Sequence, residues 1–240
     1  MKYRAEIDGL RAVAIIPVIF YHAGFNFFNG GYVGVDVFFV ISGYLITNVI
    51  IVEKSEDRFS LLNFYERRAR RILPALFFIT LTCIPFAWLW LMPVDMKNFS
   101  QSVAAVATFS SNLLFLRESG YFDAAVELKP LIHTWSLAIE KQYYLLFPLF
   151  VILFWRSGKR GLLVISSLLL LLSLSLSQLI VSTRPAAAFY LLPTRAWELL
   201  IGVVVALSLF QRRKERINIA ICQAGSLIGV VLVAYSVFTY

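Results

Sequence analysis

Charged residues are scarce in this sequence. Of its 240 residues, 15% are charged and 60% are hydrophobic, whereas an ordinary soluble domain is roughly 25% charged and about 45–50% apolar. A soluble globular protein is therefore disfavoured. Runs of about twenty apolar residues recur along almost the whole chain, and this is the length that a helix needs to cross the hydrocarbon core of a bilayer. The bilayer is accordingly the solvent in which the fold has to be explained.

Cysteine is also rare, because the chain has two cysteines in all. Cys83 and Cys222 lie inside apolar runs and share no metal-binding spacing, so the sequence predicts neither a disulfide framework nor a metal site. The glycine-rich run from Gly30 to Asp36 is no dinucleotide fingerprint, because it opens an apolar span, and Gly34 and Gly43 instead predict a close approach of helices. The sequence has no Walker loop and no Gly-x-Ser-x-Gly nucleophile elbow. We therefore expect no metal and no tightly bound cofactor.

Basic residues outnumber acidic residues by 22 to 14. Such an excess can indicate nucleic-acid binding. Here, however, the positive charges form short clusters between apolar runs, as they do in the cytoplasmic loops of membrane proteins. We expect membrane lipids, and no nucleic acid, as partners of these charges.

The apolar runs predict an all-α, polytopic transmembrane helix bundle. An apolar run of this length must be helical, because lipid offers no partner for free backbone N–H and C=O groups. About eight candidate spans can be drawn: Leu10–Phe28, Tyr32–Val52, Ile72–Met92, Ser102–Leu116, His133–Trp155, Leu162–Ser182, Leu191–Phe210 and Ala220–Tyr240.

Three basic clusters bear on the topology: Arg67–Arg71, Arg156–Arg160 and Arg212–Arg216. The positive-inside rule would place all three in the cytoplasm. Three candidate spans separate the first cluster from the second, however, and an odd number would put them on opposite sides. Ser102–Leu116 is short and rich in Ser, Thr and Asn. We therefore expect it to be re-entrant or buried in the bundle.

Ionisable groups inside spans indicate function, because each costs about 2.5–3.5 kcal/mol on insertion scales at the helix centre. Arg11 and His22 are eleven residues apart and share one helical face, separated by roughly 16 Å along the axis. This spacing predicts a cation at a membrane boundary and an imidazole deeper in the span. The alternative is that Arg11 snorkels to the headgroups and His22 hydrogen-bonds a neighbouring helix.

A second polar stripe opens the fifth span. His133, Ser136 and Glu140 fall on one helical face by three- and four-residue steps, with Gln142 displaced to the side. The stripe predicts a polar surface that faces the bundle. The alternative is an interfacial helix start whose Trp and Tyr residues belong to the aromatic belt.

The third feature is the arginine run before the Ile72 span. Arg67, Arg70 and Arg71 share a helical face, and guanidinium groups bind phosphate oxygens in a bidentate manner. The run therefore predicts a site for a phosphorylated ligand such as a nucleotide or coenzyme A. The alternative is a topology signal that contacts anionic lipid.

Two further charged residues are expected to be paired. Arg195 and Glu198 stand at helical spacing and can neutralise each other inside the bundle. Asp36 can pair with Arg11 or with an arginine of the basic cluster.

Five separated segments occur in a characteristic order: YRAEIDGLRA at 3–12 followed by Tyr21-His22, GYVGVDVFFVISGYLI at 31–46, the arginine run at 64–74, the polar segment at 133–144, and TRAWEL at 194–199. Together they resemble acyltransferase family 3, the bacterial integral-membrane O-acyltransferases of the O-antigen and peptidoglycan acetylase kind. The resemblance covers nearly the whole chain. It implies one membrane acyltransferase domain over residues 1–240 that lacks the last spans of the family, in the bacterial inner (cytoplasmic) membrane.

The resemblance further implies transfer of an acyl group, usually acetyl, from cytoplasmic acyl-CoA to a hydroxyl of a cell-envelope glycan, such as lipopolysaccharide. It assigns catalytic roles to Arg11, His22 and Glu140. It places an Arg-x-x-Arg donor site on either Arg67/Arg70 or Arg68/Arg71, since the two pairs overlap.

Histidine is the side chain whose pKa suits a general base for a sugar hydroxyl, so His22 is the expected base. Alternatively, His22 carries the acyl group covalently. Glu140 would orient its imidazole, and Arg11 would stabilise the oxyanion. Tyr190 is a candidate relay acceptor, while His133, Ser136, Asp36 and Arg195 are supporting residues.

A transporter or a lipid or glycan flippase is the rival interpretation, because it too would carry charged residues inside a helical bundle. Transporters often show inverted repeats and broken helices in corresponding halves. The sequence has no such symmetry, so we favour the enzyme.

Overall fold

The computed structural model describes residues 5–119, 128–211 and 219–239. Within these ranges the chain is helical and contains no strand, which confirms the all-α class. The helices are α1 Ala5–His22, α2 Val33–Ser55, α3 Leu61–Trp90, α4 Pro93–Ala107, α5 Ser111–Arg117, α6 Thr134–Phe154, α7 Gly158–Val181, α8 Pro185–Tyr190, α9 Leu192–Gln211 and α10 Ile219–Thr239. Short 3-10 turns occupy Asn26–Phe28 and Trp155–Ser157.

Five helical stretches in the described ranges are long and apolar enough to cross a membrane, so the predicted count of eight was too high. They are Val33–Ser55, Leu61–Trp90, Thr134–Val181, Pro185–Gln211 and Ile219–Thr239. The Thr134–Val181 stretch joins two of the predicted spans across a short 3-10 turn. The first predicted span is not among the five, because α1 carries Glu6, Asp8 and Arg11 within its 18 residues.

The predicted Ser102–Leu116 span is two short helices rather than one. α4 ends at Ala107 and α5 begins at Ser111, and between them Phe109 adopts a φ of 53°. Ser102, Ser111 and Asn112 are nevertheless buried. The segment is not among the membrane-length helices, which confirms that it is no full crossing, whereas its re-entrant course stays a prediction. The basic cluster Arg212–Arg216 lies outside the described residues.

The chain divides into two compact units. The first unit comprises Met1–Ile51, Trp155–Leu170 and Glu198–Tyr240, and the second comprises Val52–Phe154 and Leu171–Trp197.

Glycines set the helix spacing in the first unit. A Cβ added at Gly34 would overlap the main chain of Ala14 in α1, and one at Gly43 would overlap the main chain of Leu199 in α9. Gly202 in α9 meets the main chain of α2 in the same way. The prediction that Gly34 and Gly43 permit close approach of helices is confirmed, as expected where small residues lie at helix interfaces.

The second unit is built on α3, α4 and α6. Leu76, Phe99, Val106 and Leu131 are buried in one apolar cluster, and Leu137 of α6 packs against it. Near the start of α3, Tyr65 Oη donates to the carbonyl of Leu145, late in α6, at 2.8 Å. Since the start of α3 meets the later part of α6 and its middle meets the start of α6, the two helices run antiparallel. We call their line of contact the α3–α6 seam.

Gly43→Ala and Gly202→Ala should each lower the free energy of unfolding by about 1–3 kcal/mol, because overpacking forces the backbones of α2 and α9 apart. Thermal unfolding of the purified protein in detergent measures this loss. Gly225→Ala is the matched control, since its Cβ would meet nothing within 4 Å. Equal melting temperatures for Gly43→Ala and the unchanged protein would contradict this description of the packing.

Candidate functional site

The arginine run at the start of α3 separates into two pairs. Arg67 and Arg70 are exposed and bound by carboxylates. Arg67 Nη2 donates to both carboxylate oxygens of Glu53 at 2.8 and 2.9 Å, and Arg70 Nη2 lies 2.6 Å from Glu66 Oε1. The positive charges of this pair are therefore compensated by the protein itself.

Arg68 and Arg71 instead open onto cavities along the α3–α6 seam. The Arg68 guanidinium is half-buried, with its carbon 5.6 Å from the Phe64 ring centre and 6.0 Å from that of Tyr144. It lines a first cavity of about 320 Å³, whereas Arg71 lines a second cavity of about 410 Å³. Ile72 lines both cavities. Of the two overlapping Arg-x-x-Arg pairs, Arg68 and Arg71 are the pair that lines these two cavities.

The first cavity combines cations with an apolar wall. Its polar lining is Tyr65, Arg68, Thr108, Lys141, Gln142 and Tyr144, and its apolar lining is Ala69, Ile72, Leu73, Phe109 and Leu145. Sequence reasoning missed Tyr65, Lys141 and Tyr144, whose positions depend on the antiparallel packing of α3 and α6.

Glu140 lies behind this cavity wall and is buried, with 4% of its surface exposed. Its Oε2 accepts from Lys141 Nζ at 2.7 Å, and its Oε1 accepts from Tyr144 Oη at 2.5 Å. Lys141 Nζ also lies 4.3 Å from the centre of the Tyr144 ring. A buried carboxylate needs such partners to remain charged, and in return it fixes both side chains at the cavity.

The second cavity brings together three of the predicted residues, Arg71, His133 and Ser136. His133 is exposed and lies in the turn before α6, so the prediction that the helix includes it was wrong by one residue. Ser136 Oγ donates to the main-chain carbonyl of His133 at 3.2 Å. The polar stripe of α6 is thus divided, with Ser136 lining the second cavity and Glu140 held behind the first.

A buried amide network supports the wall of the first cavity. Gln142 Nε2 donates to Asn112 Oδ1 at 2.8 Å and to the carbonyl of Phe109 at 3.1 Å. Asn112 Nδ2 in turn donates to the carbonyl of Tyr190 at 2.9 Å. The network connects the α4–α5 turn, α5, α6 and α8. The network could have been suspected from the sequence, because Gln142 and Asn112 stand in otherwise apolar segments.

His22 is the last residue of α1 and is exposed, which corrects the prediction of an imidazole deep in the span. The helix stops there because Gly24, at a φ of 77°, forms a Schellman-type end. The Gly24 N–H bonds the Tyr21 carbonyl and the Phe25 N–H bonds the Phe20 carbonyl. His22 Nδ1 lies 2.8 Å from the Val18 carbonyl. Because a carbonyl only accepts, Nδ1 carries the hydrogen, and Nε2 of the neutral ring keeps its lone pair.

Arg11 lies in the middle of α1 and is half-buried. Its Nη1 is 3.6 Å from a carboxylate oxygen of Asp8, and its guanidinium carbon is 5.9 Å from the Phe38 ring centre. Pairing of Arg11 with Asp36 stays a prediction. Arg11 and His22 belong to the first unit, whereas both cavities belong to the second.

Tyr190 and Arg195 take part in an aromatic cluster of the second unit. The Tyr190 ring meets the Trp135 ring edge-on at 5.8 Å, and the Arg195 guanidinium lies 5.6 Å from Trp135 and 5.3 Å from Phe189. These contacts give Arg195 a packing role. The relay role of Tyr190 and the pairing of Arg195 with Glu198 stay predictions.

In the described part of the chain, membrane-length apolar helices carry charged and amide side chains beside two open cavities, as in a polytopic membrane protein. The model of the acyltransferase domain family matches residues 4–240, and the chain belongs to this family. The family resemblance drawn from the sequence motifs is thereby confirmed.

Among similar proteins, the peptidoglycan O-acetyltransferase OatA of Listeria monocytogenes is 38% identical over 211 residues, covering 85% of this chain and 34% of that protein. The O-acetyltransferase OatA of Staphylococcus aureus is 34% identical over 209 residues, covering 85% of this chain and 34% of that protein. The chain thus spans about a third of the length of these curated relatives. No solved structure matches it.

Lys141→Met should lower the free energy of unfolding by about 3 kcal/mol or more, because it removes the ammonium partner of a buried carboxylate. Thermal unfolding in detergent measures the loss, and adding Glu140→Gln should recover part of it. Arg70→Met breaks an exposed ion pair and should cost less than about 1 kcal/mol. Equal losses for Lys141→Met and Arg70→Met would show that Glu140 does not depend on its lysine.

Proposed function

We propose that this chain is the membrane part of an O-acyltransferase that moves an acyl group, acetyl in the simplest case, from acyl-CoA to a hydroxyl of a cell-envelope glycan. The observation that carries the proposal is the opening of Arg68 and Arg71 onto cavities of the α3–α6 seam. Membership of the acyltransferase family and similarity to peptidoglycan O-acetyltransferases support it. The similarity to peptidoglycan O-acetyltransferases also supports peptidoglycan as the acceptor, and we further propose the bacterial cytoplasmic membrane as the location.

The donor is assigned to the first cavity and to Arg71, which lines the second cavity. Arg68 supplies a cation that suits the phosphates of coenzyme A, because a guanidinium binds phosphate oxygens through paired hydrogen bonds. The apolar lining suits the uncharged arm and the acyl group. Arg67 and Arg70 are less suitable, because Glu53 and Glu66 already bind them.

The chemical step is assigned to His22. Its Nε2 takes the proton of the acceptor hydroxyl while that oxygen forms the ester bond to the acyl carbon, and collapse of the tetrahedral intermediate breaks the bond from that carbon to the group that carried it. The protonated imidazole then gives its proton to that leaving group. The hydrogen bond from Nδ1 to Val18 supports this role, because it holds the ring with Nε2 available.

The roles predicted for Arg11 and Glu140 are revised in this proposal. Helix α1 separates Arg11 from His22 by about 16 Å along its axis, which is too far for both side chains to contact one tetrahedral centre. We therefore assign no oxyanion role to Arg11. Glu140 is assigned to positioning Lys141 and Tyr144, and its partnership with His22 stays a prediction.

Arg68→Ala and Arg71→Ala should each raise the KM for acyl-CoA by about tenfold or more, because a charge-assisted hydrogen bond contributes roughly 1.5–3 kcal/mol. The KM is measured by following transfer of a radiolabelled acetyl group from acetyl-CoA to an envelope-glycan acceptor. Arg67→Ala and Arg70→Ala are the matched controls and should change KM by less than about twofold. A larger effect of the control pair would reverse the assignment.

His22→Ala should abolish acyl transfer and leave the melting temperature in detergent unchanged, because the side chain is exposed at a helix end. Both quantities should be measured on the same preparation. Turnover equal to that of the unchanged protein would overturn the assignment of the base. A large fall in melting temperature would instead indicate a structural histidine.

A further inference from the structure

We propose that Gln142 determines donor specificity, by accepting a hydrogen bond from a secondary amide N–H of the bound acyl donor on its side-chain carbonyl oxygen. The inference rests on the proposed donor site and adds the chemical feature by which the site recognises the donor.

Main-chain carbonyls fix the orientation of both amides in the network. The Tyr190 carbonyl can only accept, so the atom of Asn112 that faces it at 2.9 Å is Nδ2. The Oδ1 of Asn112 is then turned toward Gln142, which must present its own nitrogen at 2.8 Å. The Phe109 carbonyl, 3.1 Å from the same nitrogen, requires a donor as well. Two independent acceptors thus exclude a flipped Gln142.

Both hydrogens of Gln142 Nε2 are consequently used within the protein. Its Oε1 has no hydrogen-bond partner in the described part of the chain, and Gln142 lines the first cavity. The support is rigid, because Asn112 is fully buried at 0% exposure. Gln142 therefore has a fixed acceptor, and no donor, left for a ligand.

The other polar groups of the cavity complete the pattern that a ligand must match. Arg68 offers positive charge, whereas the Lys141 ammonium is paired with Glu140. The hydroxyl hydrogens of Tyr65 and Tyr144 are already given to the Leu145 carbonyl and to Glu140. A matching ligand carries an anionic group and, separately, an N–H donor. Acyl-CoA has both, since two secondary amides lie between its thioester and its phosphates.

The test compares acetyl-CoA with two analogues in which an ester oxygen replaces one or the other amide nitrogen. This exchange removes an N–H and preserves the shape of the arm. With the unchanged protein, one analogue should show a KM about 3–10-fold higher than acetyl-CoA. In Gln142→Leu the KM for acetyl-CoA should rise by a similar factor and the penalty for that ester should disappear.

A retained ester penalty in Gln142→Leu would overturn the inference, because a residue that only supports the fold leaves the choice between amide and ester unchanged. Equal KM values for all three donors with the unchanged protein would overturn it without any variant, even if Gln142→Leu fails to fold. In that case turnover of acetyl-CoA would leave the proposed function standing. No turnover of acetyl-CoA would overturn both.

Discussion

A carboxylate buried among apolar helices is stable only where cations and hydroxyl groups surround it, and Glu140 meets this requirement through Lys141 and Tyr144. The arrangement determines the polar face of the first cavity. Lys141 is held with its ammonium over the Tyr144 ring, and the same ring lies against the Arg68 guanidinium. One buried negative charge therefore organises two positive charges, which leaves the cavity wall cationic and suited to an anionic ligand.

The amide network extends this organisation to the short helices. Gln142 follows Lys141 directly in α6 and holds the carbonyl of Phe109, whose left-handed backbone forms the sharp turn between α4 and α5. Asn112 carries the connection to the end of α8. The short helix α5 is in this way fixed against the membrane-length helix α6. Hydrogen-bond networks of this kind hold the helices that they join in one arrangement.

Much of the fold could be predicted from the sequence, because long apolar runs dictate helices and glycines within them mark close crossings. The long helices and the close crossing at Gly43 are examples. The number of membrane-length helices was predicted too high, in part because the structure joins two predicted spans through a short 3-10 turn at Trp155–Ser157, where the basic cluster Arg156–Arg160 predicts a loop. The end of α1 at His22 depends on the positive φ of Gly24, which is likewise a local backbone choice.

The candidate site was predictable in composition and less so in geometry. The arginine run and Glu140 are visible as charges beside or within apolar spans. Neighbouring residues of a helix point about 100° apart, so the two overlapping arginine pairs face different surroundings. Which pair is available to a ligand depends on the carboxylates that lie near each of them. Glu66 and Arg70 are four residues apart on one helix, and such a pair can be predicted from spacing. Glu53 and Arg67 lie on different helices, and no spacing rule predicts their contact.

The central claim is that the acyl donor occupies the first cavity of the α3–α6 seam. Photolabelling of the membrane-embedded protein with an acyl-CoA that carries a photoreactive acyl chain, followed by mass spectrometry of the peptides, tests it most directly. The label should fall on residues 65–73 of α3 and 141–145 of α6, and excess acetyl-CoA should suppress it. Labelling confined to other helices, with competition by acetyl-CoA intact, would contradict the claim.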